Sequence, residues 1–175
     1  MRSGLVLLVA TLALAVPATA ATPAFVIQGD KTVAGLQIAR STPANARARF
    51  GAPSSVRARL PHSCFMRWSG IGLSLTFLDL SERRPCRSGV LVTATVTSRA
   101  HWRTALGLRV GDSIARLKQL FPRATLRRNQ GPWTGYWLIT RRMCTELGGQ
   151  PFPGLLARVR NGRVSALVSG TTACE

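Results

Sequence analysis

The sequence contains few of the side chains on which enzymes depend for acid–base chemistry. Six Asp and Glu residues stand against 24 Lys and Arg, and histidine occurs twice, at His62 and His101. The carboxylates and imidazoles are scattered along the chain, whereas general acid–base catalysis needs such groups to be brought together. Neither a G-x-S-x-G segment nor a glycine-rich phosphate-binding loop is present. Catalysis, including hydrolysis, is therefore the least favoured function.

Metal-binding patterns are also lacking. None of the four cysteines has a C-x-x-C neighbour, and His62 and His101 are far apart in the sequence. A zinc site normally needs closely spaced cysteine or histidine pairs. We therefore predict no metal and no cofactor.

Long apolar runs are lacking except at the N-terminus. There "MRSG" is followed by "LVLLVATLALAV" and by "PATA", which ends in small residues. This order is typical of a secretory signal peptide, with cleavage expected after Ala20 or Ala21. The run is too short to span about 30 Å of hydrocarbon, and no cysteine for lipid attachment lies at the cut. We predict a signal peptide over residues 1–21, a secreted or extracytoplasmic mature chain, and no transmembrane segment.

Negative charge and lysine are both scarce, so the chain is strongly basic through arginine. Its formal net charge is +18, and Lys31 and Lys118 are its two lysines. Codon usage in a GC-rich genome would be an alternative explanation for the many arginines, but it would not explain the missing acids. The charge favours anionic partners such as envelope polymers, lipid head groups or acidic proteins. Nucleic acid ranks below these because it is a poor partner outside the cell.

A short phrase occurs twice and divides the mature chain. Gly35-Leu36-x-Ile38 aligns with Gly107-Leu108-x-Val110 at an offset of 72 residues, which also aligns Ser41 with Ser113. The repetition predicts two tandem units, residues 22–99 and residues 100–175, that form one compact domain.

Each phrase leads into a predicted helix. In the second unit, Ser113 or the adjacent Asp112 is a suitable N-cap, and Pro122 ends the helix. Apolar residues recur between them at helical spacing: Ile114, Leu117, Leu120 and Phe121. In the first unit, Ser41 is the expected N-cap, Pro43 fits the first turn and Gly51 fits the C-terminal end.

Strand-like segments follow each helix. They are "CFMRW", "IGLSLTFLDL" and "VLVTATVT" in the first unit, and "YWLIT", "LLARVR" and "RVSALVSG" in the second. We predict an α+β fold in which each unit is a short helix packed on a three-stranded antiparallel meander, with the two meanders able to form one continuous sheet. "SVRARL" reads as a further half-buried strand, with Arg57 and Arg59 on one face.

The clearest turn signal is Asn161-Gly162, because both central positions of a type I′ hairpin need positive φ. A two-residue loop there places Arg160 opposite Arg163, Arg158 opposite Ser165, and Leu156 opposite Leu167. The opposite face of the hairpin is apolar and is the predicted core side.

The four cysteines, an even number in a chain predicted to be exported, indicate two disulfides. Cys64 opens the first strand of its meander and Cys86 follows the end of the second, so both lie at the same edge. Cys144 follows the first strand of the other meander and Cys174 follows the third. We therefore predict the pairs Cys64–Cys86 and Cys144–Cys174.

The repeated "GLxI/V–(G/A)–x–S–helix–F(G/P)" phrase, at 35–51 and 107–122, resembles the tandem α/β repeats of the beta-lactamase inhibitor proteins. That family is similar in turn to the outer-membrane assembly lipoproteins of the SmpA/BamE kind. The resemblance covers most of the mature chain and implies a concave sheet that presents side chains to a protein partner. No inhibitory contact residue can be carried over.

The predicted binding site is basic and aromatic. Arg158, Arg160 and Arg163 share the polar face of the last hairpin, where facing like charges are relieved by a bound anion. Arg141 lies at a strand end, and Trp133 lies in a loop. Trp137 is a further predicted binding residue; it alternates with Tyr136 on one strand, so that one of the two is expected to be buried and the other exposed. The functional hypothesis is a secreted, non-catalytic binding module for an anionic envelope polymer or an acidic protein. The alternative is a structural envelope-assembly or inhibitor-like protein with a permanent protein partner.

Overall fold

A computed structural model describes residues 25–60, 62–80, 84–142 and 149–170, which form an α+β fold. The helices are α1 (Pro43–Phe50), α2 (Pro85–Ser88) and α3 (Ile114–Leu120). The strands are β1 (Phe25–Gln28), β2 (Thr32–Val33), β3 (Leu36–Gln37), β4 (Ser55–Leu60), β5 (Ser63–Trp68), β6 (Leu73–Leu78), β7 (Val90–Val96), β8 (Trp102–Thr104), β9 (Thr125–Arg127), β10 (Gly135–Arg142), β11 (Pro151–Arg160) and β12 (Arg163–Gly170). The signal peptide predicted over residues 1–21 lies outside the described residues.

Eight antiparallel strands form one continuous sheet in the order β4-β5-β6-β7-β12-β11-β10-β9. The last strands of the two predicted units, β7 and β12, meet at its centre, where Val96 pairs with Leu167 and Ala94 with Ser169. Each unit contributes four strands after its helix, one more than the predicted three. The extra strands are β4, which is the segment "SVRARL", and the three-residue β9.

A second, smaller sheet was not predicted. Its order is β3-β2-β1-β8, and β1 runs parallel to β8 with Phe25 paired to Trp102. Its members are two to four residues long, too short to show an alternating pattern in the sequence. The pairing of β1 with β8 links the two predicted units a second time.

Helix α3 begins as predicted, since the Ser113 hydroxyl accepts a hydrogen bond from the Arg116 amide at 3.1 Å. The N-cap of α1, however, is Thr42 and not Ser41. The Thr42 amide donates to the Asn45 side chain at 2.8 Å, and the Thr42 hydroxyl accepts from the Asn45 amide, which completes a capping box. The Ser41 hydroxyl instead accepts from the Gln37 amide at 2.9 Å.

The repeated phrase has positive φ at corresponding positions of its two copies. Gly35 and Gly107 both have φ of +87°, and Ala39 and Gly111, which correspond at the same offset, have φ of +66° and +92°. Leu36 and Leu108 are both buried. The local likeness therefore extends beyond the letters, while the equivalence of the two whole units stays a prediction.

The main core lies on one face of the large sheet. All three helices and the small sheet pack there, and the buried residues include Trp68, Phe77, Trp102, Leu117 and Leu167. Within the described ranges, no helix has the length and apolar character needed to cross a membrane.

The disulfide between Cys64 and Cys86 is present, with the Cα atoms 4.9 Å apart. It ties β5, whose Cys64 is fully buried, to the short helix α2. The predicted Cys144–Cys174 pair lies outside the described residues.

The register of the last hairpin follows the prediction only near its turn. Arg160 faces Arg163 and Val159 faces Val164, but a β-bulge then shifts the pairing by one residue. Arg158 therefore faces Ala166 and not Ser165, and Leu156 faces Val168 and not Leu167. A bulge places two residues of one strand opposite one of the other, and here the additional residue is Ser165.

Candidate functional site

The three arginines of the last hairpin do not converge on one point. Arg160 and Arg163 face each other and are exposed, but Arg163 Nη1 donates to the Gly111 carbonyl at 3.0 Å. Arg158 Nη2 donates to the Pro132 carbonyl at 2.8 Å, in another loop. Two of the three guanidinium groups thus bind backbone carbonyls, and an anion held between them stays a prediction.

Arg141 is paired within the protein. Its guanidinium binds both carboxylate oxygens of Asp30, with Nη2 at 3.1 Å from Oδ1. The hydrogen bonds from Arg141 hold the pKa of Asp30 below its usual value, against the raising effect of burial. Because Asp30 lies in the β1–β2 turn, the pair joins the small sheet to β10.

Trp133 and Trp137 belong to a second cluster on the face of the large sheet away from the main core. Trp137 is 5% exposed and packs with Leu156, Val168 and the partly buried Trp133. The Trp137 indole N–H donates to the Trp133 carbonyl at 2.9 Å. Trp133 also makes an edge contact with Phe152, at 4.7 Å between ring centroids. Both indole rings thus pack mainly against other side chains of the protein.

The expectation that one of Tyr136 and Trp137 is exposed is wrong, because both are buried. Tyr136 contributes to the main core and Trp137 to the second cluster. The short 3-10 turn Gly131–Trp133 precedes the strand, and its Trp133 packs against this second cluster. Burial on both faces of a strand removes the alternation on which the prediction depended.

We call the side of the eight-stranded sheet away from the main core the open face. The strand register defines two rows of its side chains: Arg67, Ser74, Thr95, Val168, Leu156 and Trp137, and beside them Arg57, Phe65, Thr76 and Thr93. The described helices all pack against the other side. Hydroxyl groups occupy the middle of the open face, and arginines lie at both of its ends.

Arg127 and Arg158 occupy the end of the open face nearer the tryptophans. Arg127 is exposed, and its guanidinium carbon lies 5.5 Å from the centroid of the Trp137 ring, a cation–π distance. Arg57 and Arg67, at the other end, are also exposed. The predicted binding site did not include Arg67 or Arg127, although the alternation in "CFMRW" places Arg67 on the face away from Met66.

Each of the described carboxylates accepts a hydrogen bond from another residue of the protein. Asp30 binds Arg141, Asp79 accepts from the Ser88 hydroxyl at 2.5 Å, and Asp112 accepts from the Arg109 amide at 2.8 Å. Among the residues that the structure describes, Asp30–Arg141 is the one ion pair. The positive charge of the open face is therefore not neutralised by any described carboxylate.

The two histidines lie in different loops. The Nδ1 atom of His62 lies 2.9 Å from the carbonyl oxygen of Asp79, and His101 lies in the segment that leads to β8. In the described segments no group of three His, Cys, Asp or Glu residues is placed to hold a metal ion. Two depressions beside α1 and the small sheet share Gly35, Leu36 and Arg49, and neither is lined by histidine or a carboxylate.

No known protein family, curated protein or solved structure matches the chain significantly.

Proposed function

We propose that this protein is an exported, non-catalytic binding module for an anionic partner, either an anionic envelope polymer or an acidic protein. The proposed contact surface is the open face. The observation that carries the proposal is the charge distribution there: Arg57, Arg67 and Arg127 are exposed and have no described carboxylate within ion-pair distance.

The chemistry of the open face suits oxyanions. Guanidinium groups bind carboxylate and phosphate oxygens through forked hydrogen bonds, and the Ser and Thr hydroxyls between the arginines donate further hydrogen bonds. The tandem-repeat resemblance supports a protein partner on the same surface, while the charge alone suits either kind of partner.

The test compares two charge-reversal variants of the mature protein that change net charge equally. Arg57→Glu with Arg67→Glu alters the open face, and Arg47→Glu with Lys118→Glu alters exposed positions of α1 and α3 on the opposite side. Binding is measured to the surface fraction of the producing organism and to poly-glutamate, each at low and high salt. We expect the open-face variant to bind about tenfold more weakly than the helix variant, and high salt to weaken binding by the unaltered protein.

Equal losses in both variants would show that net charge, and not the open face, governs binding. A third variant, Arg160→Glu with Arg163→Glu, tests whether the paired arginines of the hairpin take part. Co-purification of one stoichiometric protein at high salt would favour the alternative of a permanent partner, because a polyanion contact weakens steeply with salt.

A further inference from the structure

Strand β4 is a long strand at one edge of the large sheet. It runs over six residues and pairs with β5 on one side, and none of the described residues pairs with its other side. The strand at the opposite edge, β9, has three residues. An unpaired edge presents a row of backbone N–H and C=O groups to which an extended peptide can add as a further strand. The register of β4 is irregular between Ala58 and Leu60, so the regular part of its edge is residues 55–58, which is still longer than β9.

The two faces of β4 differ in chemistry. Val56 lies opposite the fully buried Met66, and Ala58 opposite the fully buried Cys64, yet Val56 is 43% exposed and Ala58 is also exposed. The short helix α2 contacts β4 on the core side, but Val56 and Ala58 stay exposed at this edge of the core. Arg57, between Val56 and Ala58, lies on the open face opposite Phe65 and is exposed.

We propose that the β4 edge binds an extended acidic peptide segment of a partner protein as a ninth strand of the sheet. Its acidic side chains lie beside Arg57 on the open face, and its apolar side chains cover Val56 and Ala58 on the other. Directly paired side chains have Cβ atoms about 5 Å apart, close enough for both contacts. The inference rests on the proposed function only for the sign of the partner's charge.

The same arginine disfavours pairing of β4 with β4 of a second copy. An antiparallel pair of these strands brings two Arg57 side chains close together, and like charges at paired positions destabilise a sheet. Charged residues on edge strands commonly prevent self-association in this way. An acidic strand reverses the effect, so the edge selects its partner by charge.

The first test uses a fluorescent peptide of alternating Glu and Val, measured by anisotropy with the mature protein. Two control peptides of the same sequence carry N-methyl groups on alternate residues, one on each edge of the extended peptide. We expect one of the two to bind about thirtyfold more weakly, the loss that corresponds to two backbone hydrogen bonds. We also expect the unmodified peptide to slow amide hydrogen exchange over residues 55–59.

The second test uses a matched pair of variants at the two edges. Val56→Asp removes the apolar contact, whereas Leu126→Asp makes the same kind of change on β9, where Leu126 is 40% exposed. We expect Val56→Asp to weaken peptide binding about tenfold and Leu126→Asp to leave it unchanged. Thermal unfolding of both variants checks that each remains folded.

The outcomes separate this inference from the proposed function. Equal binding by all three peptides would overturn strand addition and leave anion binding in place. Binding of poly-glutamate at the open face without binding of the alternating peptide would also overturn strand addition and leave anion binding in place. Loss of binding to every anionic probe would overturn both.

Discussion

At the scale of single residues, each of the three described carboxylates accepts a hydrogen bond from another residue of the protein. For Arg141, the sequence predicted the charged residue but not the contact that it makes. Its residue type and its place at a strand end made it a reasonable candidate for anion binding, but its partner Asp30 is 111 positions away. No local pattern predicts a contact of that separation, so sequence reasoning identified the cation and missed its internal anion.

The Asp30–Arg141 pair predicts a pH-dependent contribution to stability. Because the pKa of Asp30 is lowered in the folded state, the pair stabilises the protein above the ordinary aspartate pKa, and this stabilisation is lost as pH falls through the lower, folded-state pKa. Asp30→Asn should reduce the free energy of unfolding by about 1 kcal/mol at neutral pH. Urea unfolding at pH 7 and at about pH 2 measures the difference, and equal effects at the two pH values would contradict the prediction.

Helix capping gives a second prediction at the residue scale. Ser113→Ala removes the acceptor for the Arg116 amide and should destabilise the protein by about 1 kcal/mol. Ser165→Ala, at the exposed bulge of β12, is the control and should change stability by less than about 0.5 kcal/mol. Thermal or urea unfolding compares the two. Equal losses would mean that the Ser113 hydroxyl does not act as a cap.

At the scale of elements, strands with clear alternation were predictable and short or irregular ones were not. The seven segments read as strands from the sequence all appear; most of them alternate in hydrophobicity, whereas "YWLIT" is a continuous apolar run that is buried on both faces. The bulge beside Arg158 escaped prediction because Ser165 and Ala166 fit either register by size and polarity. The strands of the small sheet are stabilised by packing on the core, and a short stretch of sequence does not show such packing. These strands are β1, β2, β3 and β8.

The Cys64–Cys86 disulfide gives a prediction at this scale, since it fastens α2 to β5 across 22 residues of sequence. Replacing both cysteines with alanine should lower the free energy of unfolding by about 3 kcal/mol. Chemical unfolding of the double variant with and without reductant makes the measurement. A further loss on adding reductant would support the predicted Cys144–Cys174 bridge, and an unchanged stability of the variant would contradict the main prediction.

At the scale of the whole molecule, the repeated phrase suggests two units, whereas the eight-stranded sheet is continuous across both of them. The phrase predicts a division into two units, but the structure joins residues 22–99 and residues 100–175 at two places. Strands β7 and β12 pair at the centre of the large sheet, and β1 pairs with β8 in the small one. The fully buried Trp102, from the second unit, contacts both Phe25 and Phe50 of the first. From this shared core we expect the two predicted units to unfold as one cooperative structure.

This arrangement predicts that neither unit folds alone. A fragment of residues 22–99 exposes the β7 edge and loses the Trp102 side chain from its core, and residues 100–175 lose the partners of β12 and β8. Each deficit removes several large buried side chains, each worth about 2 kcal/mol or more, from a domain whose total stability is about 5–15 kcal/mol. Circular dichroism and thermal unfolding of each fragment, alone and mixed, should show no cooperative unfolding of either fragment alone. Cooperative unfolding of either isolated fragment would show that the units are independent, because a half that buries its own core does not need the central strand pairing.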